Sequence, residues 1–442
     1  MRLSTLRKGM LCSAALLGAT LCAMPALADD TPAAPAAAPT PPAPYLKITG
    51  HIEAGVNFNA DQPGSNLNWG HLFTDRAGQP LLNQAVVTVE HDIDSSSKSF
   101  NWGFKVQGQY GSDSRYTHTL GILNYTTKND INQFDFVEAH LDAHLPIIAS
   151  GGMDVKAGIY PTLEGAEVID ATGNFFYSHN YIFNFGIPLK HTGIMTVTHF
   201  SHGIDIYVGV DSGVNTSFGL GGDTNGAPAF HGGIGFLIGK NITVLATTHI
   251  GPEDARGSID FSGNAIHTNK ALRYLNDITI TTKFGPKLTS LTDLNYIRDD
   301  GYNVSGGGVS EQLVYTVNDH FSVGTRAEIW DDGNGYFVAS FPGNHDFILN
   351  EFGLPNHPGG YTNTSVFAPG VDTTYGALTV GLNWKPKVPT YTKNFSLTIR
   401  PEARYDVTLN NTKVFDLTSA ATGYVPTRHS QFTLGIDGVV TF

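Results

Sequence analysis

The sequence has few cysteines, few charged residues and no long apolar run after its first 28 residues. Its two cysteines, Cys12 and Cys22, lie in that leading segment. Once the segment is removed, the chain can form neither a disulfide nor a cysteine-ligated metal site. Charged residues make up only 15% of the chain, against about 25% in ordinary soluble domains. Because no further run reaches 18 apolar residues, transmembrane helices are excluded.

The leading segment is typical of a secretory signal. Its first eight residues carry three basic side chains, residues 11–26 are largely apolar, and Ala26-Leu27-Ala28 is a small-x-small cleavage site. We expect residues 1–28 to be a signal peptide that is cleaved after Ala28. A membrane anchor is the alternative, but the stretch is short for a spanning helix, which needs about 20 apolar residues.

The composition of the remaining chain is that of an acidic, glycine-rich and aromatic protein. The segment removed holds three basic and no acidic residues, so cleavage takes the formal net charge from −13 to −16. An acidic balance argues against a nucleic-acid partner, because the phosphate backbone requires a basic surface. The 50 glycines, 11% aromatic residues and mean hydropathy of −0.10, together with export, favour an outer-membrane β-barrel.

Residues 29–45 form a separate segment dominated by proline and alanine. Such a composition is extended and has no core of its own. We expect a disordered periplasmic segment here, followed by a single barrel domain over residues 46–442.

Two segments near the ends of this domain alternate clearly between apolar and polar residues. In the first, Ile48, Ile52 and Phe58 fall on one face and polar residues on the other. The last segment repeats the pattern and ends on Phe442. A barrel strand in lipid needs this alternation, with apolar side chains outward and polar ones toward the lumen.

The same pattern predicts sixteen strands, with an uncertainty of about two strands. Their connections alternate in length: the odd-numbered ones are long, such as residues 161–189, and the even-numbered ones are short, such as Lys240 alone. Bacterial barrels have long external loops and short periplasmic turns. Between the first and last strands, the predicted ranges are 82–93, 101–111, 133–145, 152–160, 190–200, 203–211, 229–239, 241–250, 275–285, 288–298, 309–318, 320–330, 374–385 and 393–407.

Charged residues at alternate strand positions are the candidate pore lining. The strand 393–407 carries four consecutive charges on one face, and a lipid-facing arginine there would cost about 2–4 kcal/mol at the midplane. Charges of both signs on a lumen wall tune ion selectivity; mutual neutralisation that only supports the wall is the alternative. The predicted lining residues are Lys105, Glu138, Lys156, Arg326, Glu328, Arg400, Glu402 and Arg404.

The long connection over residues 161–189 is the candidate constriction. It combines the acidic residues Glu164, Glu167 and Asp170 with His179 and several aromatic residues. A long aromatic-rich loop can pack rather than remain in solvent. We predict that it folds into the lumen and that its acids face the basic wall; an external cap over the mouth is the alternative.

No segment predicts catalytic, cofactor-binding or metal-binding chemistry. His140-x-Asp142-x-His144 places three donors on one strand face, but alternation alone produces such a set. Ser201 lies close to His199, which raises an outer-membrane hydrolase, yet no nucleophile elbow is present. We therefore expect neither an enzyme nor a cofactor or metal.

Several segments are similar to the β-barrel porin family of the OmpL-like type. They include ITGHIEAG (residues 48–55), LNQA (82–85), EVID through FYSH to GIPLKHTG (167–193), RAEIWDD (326–332) and IRPEARYD (399–406). The resemblance covers most of residues 46–442. It implies one outer-membrane barrel and implies no particular solute.

Together these observations predict an outer-membrane porin-like channel for passive diffusion of small polar solutes or ions in a Gram-negative bacterium. A non-conducting structural or adhesion barrel is the alternative, followed by the hydrolase. The expected partners are outer-membrane lipid and lipopolysaccharide, the barrel assembly machinery through the terminal strand ending in Phe442, and small solutes. Homotrimer formation is compatible with this class, although no residue pattern specifies it.

Overall fold

The chain forms a closed antiparallel β-barrel of sixteen strands in a computed structural model. The predicted signal peptide and the whole of the Pro/Ala-rich segment lie outside the residues that the structure describes. Each barrel strand pairs with its neighbours in sequence, and β1 closes the barrel against the last strand, β18. The described residues are 46–123, 131–201, 203–218, 225–254, 256–338, 371–387, 395–420 and 423–442.

The predicted strand count is confirmed. The predicted and observed bounds agree within three residues at every strand except at the start of β12. The barrel strands are β1 Lys47–Asn59, β2 Leu81–His91, β3 Asn101–Gly111, β4 Gln133–Leu145, β5 Met153–Pro161, β6 Lys190–Phe200, β7 Ile204–Asp211, β8 Ala229–Ile238, β9 Ile242–Gly251, β10 Arg273–Phe284, β11 Leu288–Asp299, β12 Val304–Asn318, β13 Phe321–Asp332, β14 Thr373–Trp384, β15 Ser396–Thr408 and β18 Ser430–Thr441.

Strand β12 begins five residues earlier than the predicted start at residue 309. Three glycines in this stretch resemble a loop, but Gly308 pairs with Asn295 on β11 and with Trp330 on β13. A Cβ atom at Gly308 would lie 3.1 Å from the Trp330 ring and 2.3 Å from the Ile329 carbonyl oxygen. Glycine therefore allows a close approach within the sheet here and does not end the strand.

The last long connection contains a hairpin that the sequence pattern did not predict. Strand β16, Phe415–Ala420, pairs with β17, Gly423–Arg428, outside the barrel sheet. Phe415 is fully buried, with its ring centroid 6.2 Å from that of Tyr375. The prediction treated residues 408–428 as an irregular loop because its apolar residues are too few to show alternation. Burial of Phe415 orders the connection.

The helical elements are short and lie in the connections between strands. They are α1 Ser114–Thr117, 3-10 turns at Ala171–Gly173 and Gly333–Gly335, and a π-helical turn at Ile182–Gly186. In the part of the chain that the structure describes, no helix is long and apolar enough to cross a membrane.

The outer face of the barrel is apolar and carries exposed aromatic residues near strand ends, as at Phe58, Trp102 and Trp384. At the closure, Gly50 and Phe442 exchange two backbone hydrogen bonds of 2.9 Å. The Phe442 ring covers Gly50, where a Cβ atom would lie 2.6 Å from it. Both ends of the barrel domain therefore meet at the end that carries the short turns, which is the periplasmic end in bacterial barrels.

The external half of the lumen is filled by an apolar core. Six long connections and the nearby strand ends contribute side chains to it, among them Trp69, Tyr116, Phe183 and Phe415. Trp330, at the outer end of β13, is fully buried within it. The external connections thus pack inside the barrel mouth and cover the lumen wall there.

Candidate channel interior

The connection between β5 and β6 crosses the lumen. We call residues 162–189 the inner loop. It leaves the wall at β5, and it forms hydrogen bonds with β2, β10, β11, β13 and β15. In a barrel of sixteen strands, β13 and β14 lie opposite β5 and β6. The inner loop therefore reaches from β5 to the opposite wall of the barrel.

Two residues of β15 hold the turn of the inner loop. The Glu402 carboxylate accepts hydrogen bonds from the backbone N–H groups of Tyr177 at 2.9 Å and Ser178 at 3.1 Å. Two positions earlier, the Arg400 guanidinium donates to the carbonyl oxygens of Ala171 and Asn174, each at 2.8 Å. Charged hydrogen bonds are about twice as strong as neutral ones, so opposite charges on one strand face fix two parts of the same loop.

Arg400 is itself neutralised by the wall beside it. Its guanidinium pairs with Glu53 on β1 at 2.6 Å and with Asp437 on β18 at 2.5 Å. All three side chains are at most 4% exposed. Buried charges require such partners because desolvation of an unpaired charge is very costly.

Three aromatic rings of the inner loop fit against glycines of the wall. A Cβ atom at Gly324 would lie 2.4 Å from the Phe175 ring, and one at Gly381 would lie 2.9 Å from Phe176. Tyr177 lies over Gly55 and Gly435, where added Cβ atoms would approach its ring to 2.6 and 3.2 Å. The missing side chains form a complementary surface, so the position of the loop is fixed by shape as well as by charge. We call the glycines that contact these rings the aromatic seats: Gly55, Gly324, Gly381 and Gly435.

Arg326 on β13 forms the second charged anchor. It donates to the Glu167 carboxylate at 2.6 Å and to the Ser178 carbonyl oxygen at 2.7 Å. Glu167 also bonds the His179 ring at 2.9 Å and the Asn180 N–H at 2.9 Å. Burial alone would raise the pKa of Glu167, but the Arg326 charge and these hydrogen bonds outweigh burial and bring the pKa to about 2.

This lowered pKa links the anchor to pH. The ordinary glutamate pKa is about 4.5, so the folded state favours the charged form. Its contribution to stability is complete above pH 4.5 and is lost as the pH falls toward 2. The Glu167 contact is therefore fully formed at neutral pH.

Glu328 and Arg404 extend the same network. The Glu328 carboxylate accepts from the Tyr181 N–H at 2.7 Å, and Arg404 donates to the His179 carbonyl oxygen at 2.9 Å. The two side chains pair at 3.0 Å, and both are nearly inaccessible. Five predicted lining residues thus contact the loop and not open water: Arg326, Glu328, Arg400, Glu402 and Arg404.

The remaining predicted lining residues lie on the other side of the lumen. Lys105 pairs with Glu138 at 2.6 Å, with side-chain exposures of 29% and 10%. Lys156 lies opposite Asp142 in the β4–β5 register and is partly exposed. Asp170 of the inner loop is also partly exposed, 3.7 Å from His51. We call Lys105, Glu138, Lys156 and Asp170 the mixed-charge wall.

The acids of the inner loop do not act as one group. Glu167 pairs with Arg326 on β13, whereas Asp170 lies near His51 on β1. Glu164 is buried, and neither of its carboxylate oxygens has a hydrogen-bond partner within the described residues. The backbone beside it donates instead to wall acids, from Gly165 to Asp277 at 2.9 Å and from Ala166 to Asp293 at 3.0 Å.

The histidine motifs that the sequence raised have structural partners. His140 lies 3.0 Å from Glu138 and 3.0 Å from Asp142, and His144 bonds Asp154 at 2.6 Å. The two ring nitrogens of His199 bond Asp205 at 2.7 Å and Asp154 at 3.0 Å. Both nitrogens of His199 are thus engaged by carboxylates, and neither is positioned as a base for Ser201.

Solved structures of bacterial outer-membrane channels resemble this fold. An anion-selective porin from Comamonas acidovorans matches with a TM-score of 0.53 at 11% identity, over 90% of this chain and 99% of that chain. The outer-membrane channel DcaP of Acinetobacter baumannii matches with a TM-score of 0.51 at 10% identity, over 90% and 97%. A trimer form of OmpT from Vibrio cholerae matches with a TM-score of 0.50 at 11% identity, over 90% and 99%. No curated protein sequence matches the chain significantly.

The closed barrel has the fold of these outer-membrane channels. Over residues 45–442 the sequence matches the family described as "Putative beta-barrel porin-2, OmpL-like". The chain belongs to this family, which confirms the resemblance found in the sequence. The family is one of porin channels in the outer membrane of Gram-negative bacteria.

Proposed function

We propose that this channel passes small polar solutes or ions by passive diffusion along the mixed-charge wall. The anchored inner loop supports this route, because it covers the basic wall of β13 and β15 and leaves Lys105 and Asp170 partly exposed. The packed external core favours a second candidate, a barrel that conducts only weakly or not at all. Conductance measurements distinguish the two.

Charge reversal on the mixed-charge wall is expected to change ion selectivity. Replacing Lys105 or Lys156 with glutamate adds negative charge beside the proposed route, which favours cations over anions. The reversal potential of single channels in a planar bilayer under a salt gradient should therefore shift toward the cation equilibrium potential. Lys287→Glu is the matched control, because Lys287 is exposed at a periplasmic turn outside the lumen.

The reversal potentials of the lumen variants and of the control decide between the two candidates. A shift for Lys105→Glu that is absent in Lys287→Glu supports the route. An unchanged reversal potential in both lumen variants places the permeating ions elsewhere. If folded wild-type barrels show no conductance at any voltage, the non-conducting candidate replaces the channel.

The chain termini have proposed roles in export and assembly. Export would remove residues 1–28 and leave the Pro/Ala segment, residues 29–45, in the periplasm. The intact mass of protein extracted from outer membranes should place Asp29 at its start; retention of the leading segment contradicts cleavage after Ala28. The closing strand, which ends in Phe442, is the proposed contact for the assembly machinery, and the apolar outer face is proposed to contact lipid and lipopolysaccharide.

We also propose that the barrel assembles as a homotrimer through the outer face of β12. Glu311 is the eighth of fifteen residues in that strand and lies between the exposed residues Val309 and Leu313. Its carboxylate is bonded by the hydroxyls of Ser290 and Thr292, each at 2.5 Å. A carboxylate on a lipid-facing surface is unfavourable, and a second copy covering this face would remove it from lipid.

Glu311→Arg is expected to reduce the trimer fraction, because three large cations would enter the interface. Native mass spectrometry in mild detergent measures the fraction directly. Thr198→Arg is the control, since Thr198 faces outward on β6, paired with Ile206. A monomeric wild-type protein, or equal trimer fractions for Glu311→Arg and wild type, contradicts the proposed interface.

A further inference from the structure

Four neighbouring strands bring three histidines and an aspartate together on the lumen wall. His191 lies on β6, Asp211 on β7, His231 on β8 and His249 on β9. In the sheet register, His231 pairs with His249 on β9 and with Gly209 on β7. All four side chains are completely buried. The cluster lies near the external ends of the strands, below the start of the inner loop.

The separations within the cluster suit a metal ion. One donor atom each from His191, Asp211 and His231 lies within 4.8 Å of the other two. The His191 Nδ1 atom is 3.2 Å from Asp211 Oδ2, and the His191 and His231 ring centroids are 4.3 Å apart. Two donors that each lie about 2.0–2.2 Å from a tetrahedral ion are about 3.3–3.6 Å from one another. The separation of His191 Nδ1 and Asp211 Oδ2 is close to this value.

The hydrogen bonding of the cluster is incomplete at these same atoms. Both ring nitrogens of His231 lack a hydrogen-bond partner within the described residues, and His191 Nδ1 and Asp211 Oδ2 lie 3.2 Å apart as an ion pair without hydrogen-bond geometry. Buried polar atoms are almost always satisfied in native proteins. Four such atoms from three side chains that face one another point to a missing common partner.

The surrounding groups orient the candidate ligands. The His249 ring bonds Asp211 Oδ1 at 3.0 Å, which leaves Oδ2 for an ion. The Thr162 hydroxyl lies 3.1 Å from His191 Nε2 and leaves Nδ1 directed toward Asp211. A metal-ligating histidine usually bonds another group through its second ring nitrogen, and this contact fixes its orientation.

We propose that His191, Asp211 and His231 bind one divalent first-row transition-metal ion, with Zn²⁺ as the first choice. Two imidazoles and one carboxylate are ligands typical of zinc and its neighbours, whereas Ca²⁺ and Mg²⁺ prefer oxygen donors. His249 is a positioning residue that acts through Asp211. The bound ion joins β6, β7 and β8 beneath the inner loop and is independent of the conduction route.

The test uses the untagged full-length mature barrel in detergent, stripped with a chelator and then separated from it. Elemental analysis after equilibration with Zn²⁺ should find one ion per wild-type chain. Titration with Co²⁺ should give the visible d–d bands of a nitrogen- and oxygen-ligated ion. Heat-modifiable gel mobility confirms that every sample is a folded barrel.

Variants assign the ligands. His231→Phe removes a ligand and leaves a buried ring, so it should fold and lose the stoichiometric ion; His231→Gln serves as the second variant. His249→Asn should bind Zn²⁺ about 10–100-fold more weakly, as is usual when an outer contact to a ligand is lost. His320→Asn is the control, because His320 is partly exposed at a periplasmic turn, far from the cluster, and its ring bonds the Lys385 carbonyl oxygen through Nδ1.

The zinc content of the wild type and of the variants tests the site. One ion in wild type and His320→Asn, with none in the two His231 variants, supports the site. No stoichiometric ion in the folded wild type overturns it, and so does unchanged binding in both His231 variants. Equal zinc affinity in His249→Asn and wild type overturns the positioning role of His249.

Discussion

Replacing Arg326 with alanine is expected to release the inner loop and raise single-channel conductance several-fold. The change removes the 2.6 Å contact to Glu167 and the 2.7 Å contact to the Ser178 carbonyl oxygen. Breaking a buried ion pair by removing one partner costs about 3–5 kcal/mol, because the other charge stays buried without its partner. The loop should therefore leave the wall for part of the time, and bilayer recordings should show larger and more variable current steps.

Arg298→Ala is the matched control for this change. Arg298 pairs with Asp300, but both side chains are more than a third exposed, and exposed pairs contribute at most about 1 kcal/mol. We expect wild-type conductance for this variant. If Arg326→Ala conducts like the control while the barrel is folded, the anchored loop does not limit the current.

Gly55→Ala is expected to destabilise the barrel by about 1–3 kcal/mol, the usual cost of overpacking. Its new Cβ atom would lie 2.6 Å from the Tyr177 ring and 2.8 Å from the Ile436 carbonyl oxygen. The Tyr177 ring cannot move freely, because its hydroxyl donates to Asn83 at 3.0 Å. The temperature at which the folded gel band disappears should fall, and conductance should rise as the ring leaves its seat.

The adjacent outward-facing position gives a control with the same chemical change. Gly438 pairs with Ala54, next to the pair of Gly55 with Asp437. A Cβ atom at Gly438 would lie 4.0 Å from the Leu397 methyl group, an ordinary van der Waals distance. Gly438→Ala should therefore unfold at the wild-type temperature. Equal unfolding temperatures for the two variants would show that the aromatic seats do not hold the loop.

The strands could be predicted from the sequence because the lipid and the lumen impose opposite demands on alternate residues. The alternation in β1 and β18 is complete enough to place both faces, and Phe442 does close the barrel against Gly50. The start of β12 could not be predicted in this way. Gly306 and Gly308 have no side chains that could alternate, although both pair across the sheet.

The interior could be predicted only in part. Alternation places Arg326 and Arg400 on the lumen face, but it carries no information about what covers them. Their partners in the inner loop are 159 and 229 residues away. The exact path of a loop depends on such distant contacts and on the glycines that accommodate its rings, and neither has a local signature.

The proposed metal cluster shows the same limit. His191, Asp211, His231 and His249 come from four strands, each with a single donor, so no short motif connects them. The sequence instead drew attention to His140-x-Asp142-x-His144, whose members are partnered by nearby residues. The cluster could have been found only by aligning the inward-facing positions of adjacent strands.

The anchors of the inner loop also set the order of events during biogenesis. The loop follows β5, whereas the groups that hold it belong to β13, β15 and the β18–β1 closure. Contacts between residues this far apart form late, because the intervening chain must first be ordered. A barrel that lacks β13 to β18 keeps only the bonds of the loop to β2, β10 and β11 and has none of its charged anchors on β13 and β15. Full anchoring of the loop across the lumen is therefore linked to closure of the barrel by its last strands.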